Sequence, residues 1–228
     1  MSLKAKLNAL KQIYQVYDEF IQTQDLACRK YCSICCTCDV TLTTLEGRMI
    51  IDALSPAEIR VLLSKLAQKA HPGRLLPDIT TNHLAHLCAQ GRDFAETDRR
   101  LSPAACPLLT EHSCPVYDVR PFGCRSLVSH INCENSGFAT TNDYILSINT
   151  LFLQVMEHLD SGGRLGNLSD VLIVLEAENR SSAAIRNRPE HTGRHLIRNQ
   201  PLKVLMLPPE HRVRIQPILA SLQKITLS

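Results

Sequence analysis

The chain has 228 residues, enough for one domain with a sizeable core that needs no covalent staples. Its ten cysteines are therefore not explained by a small disulfide-dependent core, and a formal charge of +3 is too small to argue for a nucleic-acid partner. With no Trp and only 4% aromatic residues, the interior must come mainly from Leu, Ile, Val and Ala, which leans towards helix.

Residues 3–25 predict a helix with Leu3, Leu7, Leu10, Tyr14, Tyr17 and Ile21 on one face and Lys4, Lys11, Asp18 and Glu19 towards water. Charged and apolar residues alternate from Met1 to Phe20, so this stretch lacks the continuous apolar run of a secretory signal. Nothing approaches a membrane span. A cytoplasmic protein is expected, a setting in which clustered thiols stay reduced and more often bind metal than pair.

Thr43-x-x-Glu46 predicts a capping box that opens a short helix to about Ala53. Ser55-Pro56-Ala57-Glu58 is a stronger start, with Ile59, Leu62, Leu63 and Leu66 as the buried face and His71-Pro72-Gly73 as the stop. Residues 80–90 suit another short helix. From Leu101 to Asn135 the pattern breaks down, because Pro103, Pro107, Pro115 and Pro121 interrupt any helix.

Helical periodicity returns at Asn142, with Ile145, Ile148, Phe152, Val155 and Leu159 on one face and Ser161-Gly162-Gly163 as the stop. Ser169-Asp170 starts another helix to about Asn179. Residues 180–200, with Arg180, Arg186, Arg188, Arg194 and Arg198, read as an exposed loop. From Pro209 the chain is again amphipathic through Ile215, Leu219 and Leu222, with a kink expected at Pro217. The expected fold is mainly α: a helical domain with an irregular cysteine-rich metal-binding centre. Residues 1–27 would form an N-terminal helix, 28–135 a cysteine-cluster domain, and 136–228 a helical C-terminal region packed on it.

The cysteines carry the chemistry. Cys28, Cys32, Cys35, Cys36 and Cys38 crowd into C-x3-C-x2-C-C-x-C, and Cys106, Cys114, Cys124 and Cys133 form a looser second set. Thiolate is the ligand form for zinc and for iron–sulfur clusters, and short spacings let the chain turn back to offer several sulfurs to one ion. Cys28, Cys32 and Cys35 meet that need, while adjacent Cys35 and Cys36 point apart. Cys36 can therefore reach a second site with Cys106, Cys114 or Cys124. Cys32, Cys35 and Cys38 are an alternative trio. C-x3-C-x2-C is also the spacing of radical S-adenosylmethionine enzymes, but the chain lacks the strand–helix alternation of their barrels.

Cys28-x3-Cys32-x2-Cys35-Cys36, Cys106-Pro107-Leu108-Leu109, Cys114-Pro115-Val116-Tyr117 and Arg120-Pro121-Phe122-Gly123-Cys124-Arg125 follow one another in order. Together, over residues 28–128, they resemble the YkgJ-like cysteine-cluster family, described as zinc- or iron-chelating domains. The chain departs from the commonest family pattern by one extra residue between Cys28 and Cys32. The resemblance implies metal ligation by Cys28, Cys32, Cys35, Cys36, Cys106, Cys114 and Cys124. The family includes proteins similar to flagellin lysine methylases, which implies an alternative role: an S-adenosylmethionine-dependent methyltransferase acting on a protein substrate. A metal carrier or sensor is a third. Arg120 and Arg125 are the candidate cofactor-binding cations. They suit the negative charge of a thiolate cluster, or equally a substrate carboxylate or phosphate.

Other residues have plainer readings. Cys88 is expected to be a small core residue. His83 with His86, and His191 with His195, read as surface histidines. His112 and His130 flank the second cysteine set and are the better histidine ligands. Gly162-Gly163-x-x-Gly166 follows a helix rather than a strand, so it reads as a helix stop and not a nucleotide loop.

Overall fold

The computed structural model describes residues 1–94, 102–181 and 195–226. Among these are helices α1 (Leu3–Gln22), α2 (Thr44–Asp52), α3 (Pro56–Lys69), α4 (Thr81–Ala89), α5 (Phe122–Arg125), α6 (Cys133–Ser136), α7 (Asp143–Leu159), α8 (Leu168–Ser181) and α9 (Arg212–Thr226). Three short strands accompany them: β1 (Thr41–Thr43), β2 (Arg164–Asn167) and β3 (Ile197–Arg198). No helix among the described residues is long and apolar enough to cross a membrane.

Local chemistry sets most helix boundaries. Thr43 and Glu46 form the expected capping box at α2, and Ser55 and Glu58 form another at α3 with Pro56 in the first turn. Asn142 caps α7 by accepting from the Ile145 amide at 2.9 Å. Helix α1 stops at Gln22 rather than 25, where the Thr23 hydroxyl donates to the Phe20 carbonyl at 2.7 Å and closes the last turn. Pro217 lies inside α9.

Two apolar clusters share the interior. The first joins Leu10, Ile13, Tyr14 and Tyr17 of α1 to Leu151, Phe152 and Val155 of α7 and to Ile215 and Leu222 of α9. Each fully buried Leu or Ile there contributes about 1.5–3 kcal/mol by leaving water. The second packs Ile50 and Ile51 of α2, Leu62 and Leu66 of α3, and Val171, Leu172 and Leu175 of α8 around Leu108 and Val116. Helix α2 serves both clusters, because its opposite faces are apolar. The irregular segment 102–128 is anchored in both as well, through Phe122 in the first and Leu108 and Val116 in the second.

The sheet was not expected. Strand β2 lies between β1 and β3, antiparallel to both, with Thr41 opposite Asn167, Thr43 opposite Leu165, and Leu165 opposite Ile197. Gly162, at φ 94°, turns the chain out of α7 towards β2, so the glycines do mark a helix stop. Arg198 belongs to β3 and not to the expected loop, whose residues 182–194, with Arg186, Arg188, Arg194 and His191, lie outside the described residues. Asp18 is not simply on the wet side of α1, since it pairs with the buried Arg125 at 2.7 Å.

Candidate metal centre

The first cysteine segment is a run of tight turns. The Cys32 amide donates to the Arg29 carbonyl at 3.2 Å, the Cys36 amide to Ser33 at 3.0 Å, and the Thr37 amide to Cys35 at 3.0 Å. Tyr31 sits at φ 72°, the left-handed conformation that reverses the chain between Cys28 and Cys32. The segment then docks on the second one. The Cys106 amide donates to the Cys36 carbonyl at 2.8 Å and the Cys38 amide to Ala104 at 2.9 Å, around the antiparallel bridge between Thr37 and Ala105. This short ladder sets Cys36 beside Cys106.

The second segment doubles back through a two-residue hairpin. The Thr110 and Ser113 amides donate to each other's carbonyls at 3.0 and 2.8 Å, while Glu111 and His112 take φ of 48° and 63°. Both central residues are left-handed, as a type I′ turn requires, without the glycine that usually relieves it. The return brings Cys114 back towards Cys106. A 3-10 turn (Tyr117–Val119) and Pro121 then lead into α5, which carries Cys124. Helix α5 sits so close to β1 that a Cβ on Gly123 would lie 2.7 Å from the Thr41 carbonyl oxygen. Only glycine fits there.

Three supports hold α5. Phe122 is fully buried, edge-on to Tyr17 at 4.7 Å and stacked on Phe152 at 5.8 Å. The buried Glu46 carboxylate accepts from the Phe122 amide at 2.8 Å, the Tyr14 hydroxyl at 2.7 Å, and the Thr43 amide and hydroxyl at 2.7 and 2.9 Å. Asn149 of α7 donates to the Ser126 carbonyl at 3.1 Å and accepts from the Tyr17 hydroxyl at 2.7 Å.

These turns bring Cys28, Cys32, Cys35, Cys36, Cys106, Cys114 and Cys124 onto the wall of one cavity of about 260 Å³, together with Arg120 and Arg125. Cys38 is not among them. It is buried, with its thiol 3.6 Å from the Asp39 carboxylate. Cys88 is exposed at the end of α4, where Asn82, Ala85 and Leu87 face inwards, so it is not a core residue. His112 lines the cavity and its Nδ1 lies 2.7 Å from the Ser33 hydroxyl. His130 Nδ1 lies 2.6 Å from the Asp25 carbonyl oxygen.

The two arginines differ. Arg125 is buried and engaged on three partners: both Asp18 oxygens at 2.9 and 2.7 Å, the Arg120 carbonyl at 3.0 Å and the Asp118 carbonyl at 2.8 Å. Its guanidinium also lies over the Tyr14 ring at 4.3 Å. It therefore fixes the turn before Cys124. Arg120 stacks on Tyr117 at 4.0 Å and donates to the Tyr117 carbonyl at 3.1 Å, and among the described residues it has no carboxylate partner.

Burial pushes the Cys106, Cys114 and Cys124 thiols up, most strongly at Cys124, where Cys106 and Cys114 add to the effect. The Arg120 charge opposes this at Cys35, Cys114 and Cys124. The hydrogen bond between Cys35 and Cys36 divides that pair: it raises Cys35 and lowers Cys36, so Cys36 is the more acidic of the two.

Among the described residues no group of three or more His, Cys, Asp or Glu side chains already stands in the arrangement of a metal site. The donors that could hold a metal are the cysteines of this wall, all soft sulfur ligands carried on short turns. Sequence reasoning missed Tyr17, Asp18 and Lys30 as wall residues, since no local pattern on α1 or its following loop marks them. No family model, curated protein or solved structure matches the chain.

Proposed function

We propose that the chain is a metal-binding protein that holds zinc or an iron–sulfur cluster between its two cysteine segments, in keeping with its resemblance to the YkgJ-like cysteine-cluster family. The observation that carries this reading is the meeting of seven cysteines from residues 28–36 and 106–124 on one cavity wall. A packed core does not need that convergence, and the left-handed Glu111-His112 turn that produces it costs about 1–3 kcal/mol per residue. A bound ion supplies a strong cross-link between segments that otherwise share one short backbone ladder. Arg120, stacked and without a carboxylate partner among the described residues, is placed to offset the charge of the thiolates.

Purification without oxygen, followed by zinc, iron and acid-labile sulfide analysis, tests this. The expected result is near-stoichiometric metal that falls sharply in Cys124→Ser, with sulfide separating a cluster from zinc. Anaerobic protein free of both metals, or Cys124→Ser with a full complement, would contradict it. The S-adenosylmethionine-dependent lysine methyltransferase reading has less support. The cavity's 260 Å³ falls below the ~300–1,000 Å³ of ordinary small-molecule sites, and thiols occupy much of its wall.

A further inference from the structure

Cys133 lies off the main cavity wall and still faces two of its cysteines. A gap of about 10 Å³, roughly the room needed by one water-sized sphere, is lined by Cys28, Cys32, Cys133 and Glu134, with Arg29 beside them. We propose that this gap is a second, separate metal site, in which Cys28, Cys32 and Cys133 hold one divalent ion of the zinc type and Glu134 supplies the fourth donor. The proposal rests on the reading above that this protein's thiolates bind metal, and it adds a ligand, a boundary and a stoichiometry to it.

The first support is the framework. The Ala27 amide donates to the Ser129 carbonyl at 2.9 Å, and the Ser129 amide donates to the Cys28 sulfur at 3.2 Å. An N–H directed at a sulfur is the kind of outer contact that orients a ligating thiolate. The Ser129 hydroxyl donates to the Ile131 carbonyl at 2.8 Å, and the His130 amide donates to the Thr140 carbonyl at 2.8 Å. Asn132 then caps α6 by accepting from the Glu134 amide at 2.9 Å, which places Cys133 in the first turn and Glu134 next to it. Residues 27–28 and 129–134 are thus pinned together by backbone contacts that need no ion.

The second support is how the sulfurs divide between the two spaces. Cys133 lines the small gap and not the main cavity, Cys28 and Cys32 line both, and Cys35, Cys36, Cys106, Cys114 and Cys124 line only the main cavity. With Cys28 and Cys32 turned to the outer gap, five sulfurs still serve the inner site. The third support is charge. Three thiolates and a carboxylate around a divalent cation carry two negative charges, and Arg29, with its guanidinium 3.9 Å from Glu134, stands ready to offset part of them.

Binding is ligand exchange without redox change: three thiols lose their protons to solvent as three metal–sulfur bonds of about 2.3 Å form, and the carboxylate replaces a metal-bound water. The site would staple the chain end of α1 to the segment that follows α5, across the rim of the main cavity.

Native mass spectrometry of the reduced full chain, loaded with Zn²⁺ alone and freed of excess, is the test. Wild type is expected to carry two ions, Cys133→Ser and Cys28→Ser one each, and Cys124→Ser one. The double variant Cys124→Ser with Cys133→Ser is expected to carry none. Cys133 lies outside both core clusters, so far-UV circular dichroism of Cys133→Ser should match wild type, and Cys28→Ser gives an independent reading. Wild type that saturates at one ion, or Cys133→Ser that retains two, would overturn the second site while leaving the first reading intact. Wild type that takes up no zinc here, and that carries neither zinc nor iron as purified without oxygen, would overturn the metal reading itself.

Discussion

Glu46→Gln probes the joint on which the cysteine-bearing α5 depends. Glu46 is 3% exposed, and its two oxygens take four donors, two at each oxygen. An amide supplies one oxygen and one NH2, so one end must now face two donors with a third. The Tyr14 or Thr43 hydroxyl at that end can rotate and accept. The backbone amide there, of Phe122 or Thr43, cannot. Leaving it unpaired in the interior costs about 1–3 kcal/mol, and the surviving bonds weaken by about 1 kcal/mol each as they lose charge assistance. Relief from burying a charge offsets part of this, leaving a net loss of about 2–3 kcal/mol. For a chain of this size that corresponds to a fall in Tm of about 4–12 °C. Thermal unfolding by circular dichroism should be run on reduced, chelator-treated protein, so that metal does not contribute to the difference. Alkylation of Cys124 should also quicken, because Phe122 is two residues away. A Tm within about 2 °C of wild type would refute the assignment of Glu46 as the joint.

Arg125→Lys should destabilise by about 2–4 kcal/mol, because an ammonium cannot reproduce the fork that holds Asp18, Arg120 and Asp118; calorimetry gives the answer. Arg120→Gln should instead leave Tm nearly unchanged and move the alkylation profile of Cys114 and Cys124 to higher pH, since its charge opposes the burial that raises both thiols. Asp160 is held above its usual 3.8 first by burial, against hydrogen bonds from Thr44 and the Leu45 amide. The folded state therefore binds the extra proton just above that value, and stability falls as pH rises through the elevated folded value. Asp160→Asn lacks this dependence, so wild type's margin over it should shrink between pH 4 and pH 7 in urea titrations; a margin that widens would reverse the assignment.

What could be read from sequence was chiefly local. The capping boxes at Thr43 and Ser55 and the apolar face from Ile145 to Leu159 each lie within one helix, and the structure carries them as expected. The proline-broken stretch around Cys106–Cys124 also folds irregularly, with only short helical turns. Pairings between distant residues were not legible. Strands β1, β2 and β3 are too short to show alternation, and Thr41 pairs with Asn167 only across a long sequence separation. Asp18 looked like a surface acid on α1, and only the arrival of Arg125, 107 positions on, makes it a structural partner. Cys88 was misplaced because a small apolar residue on a nine-residue helix gives no register of its own, and Asn82 took the inward position through its contacts with Gln154 and Gln200. Spacing alone grouped Cys28, Cys32 and Cys35, and the full set of seven cysteines that meets on one wall came only from the family resemblance. The place of Cys133 on a separate gap with Cys28 and Cys32 was not legible, because it depends on which way each turn throws its sulfur.

X-ray absorption at the zinc or iron edge of anaerobically prepared protein addresses the central claim most directly, because it counts the atoms bound to the metal. Thiolates from both cysteine segments predict a first shell dominated by sulfur at about 2.3 Å, with sulfur lost when Cys36 or Cys124 is changed to Ser. A first shell made only of oxygen and nitrogen near ~2.0–2.1 Å, unchanged by either substitution, would contradict it.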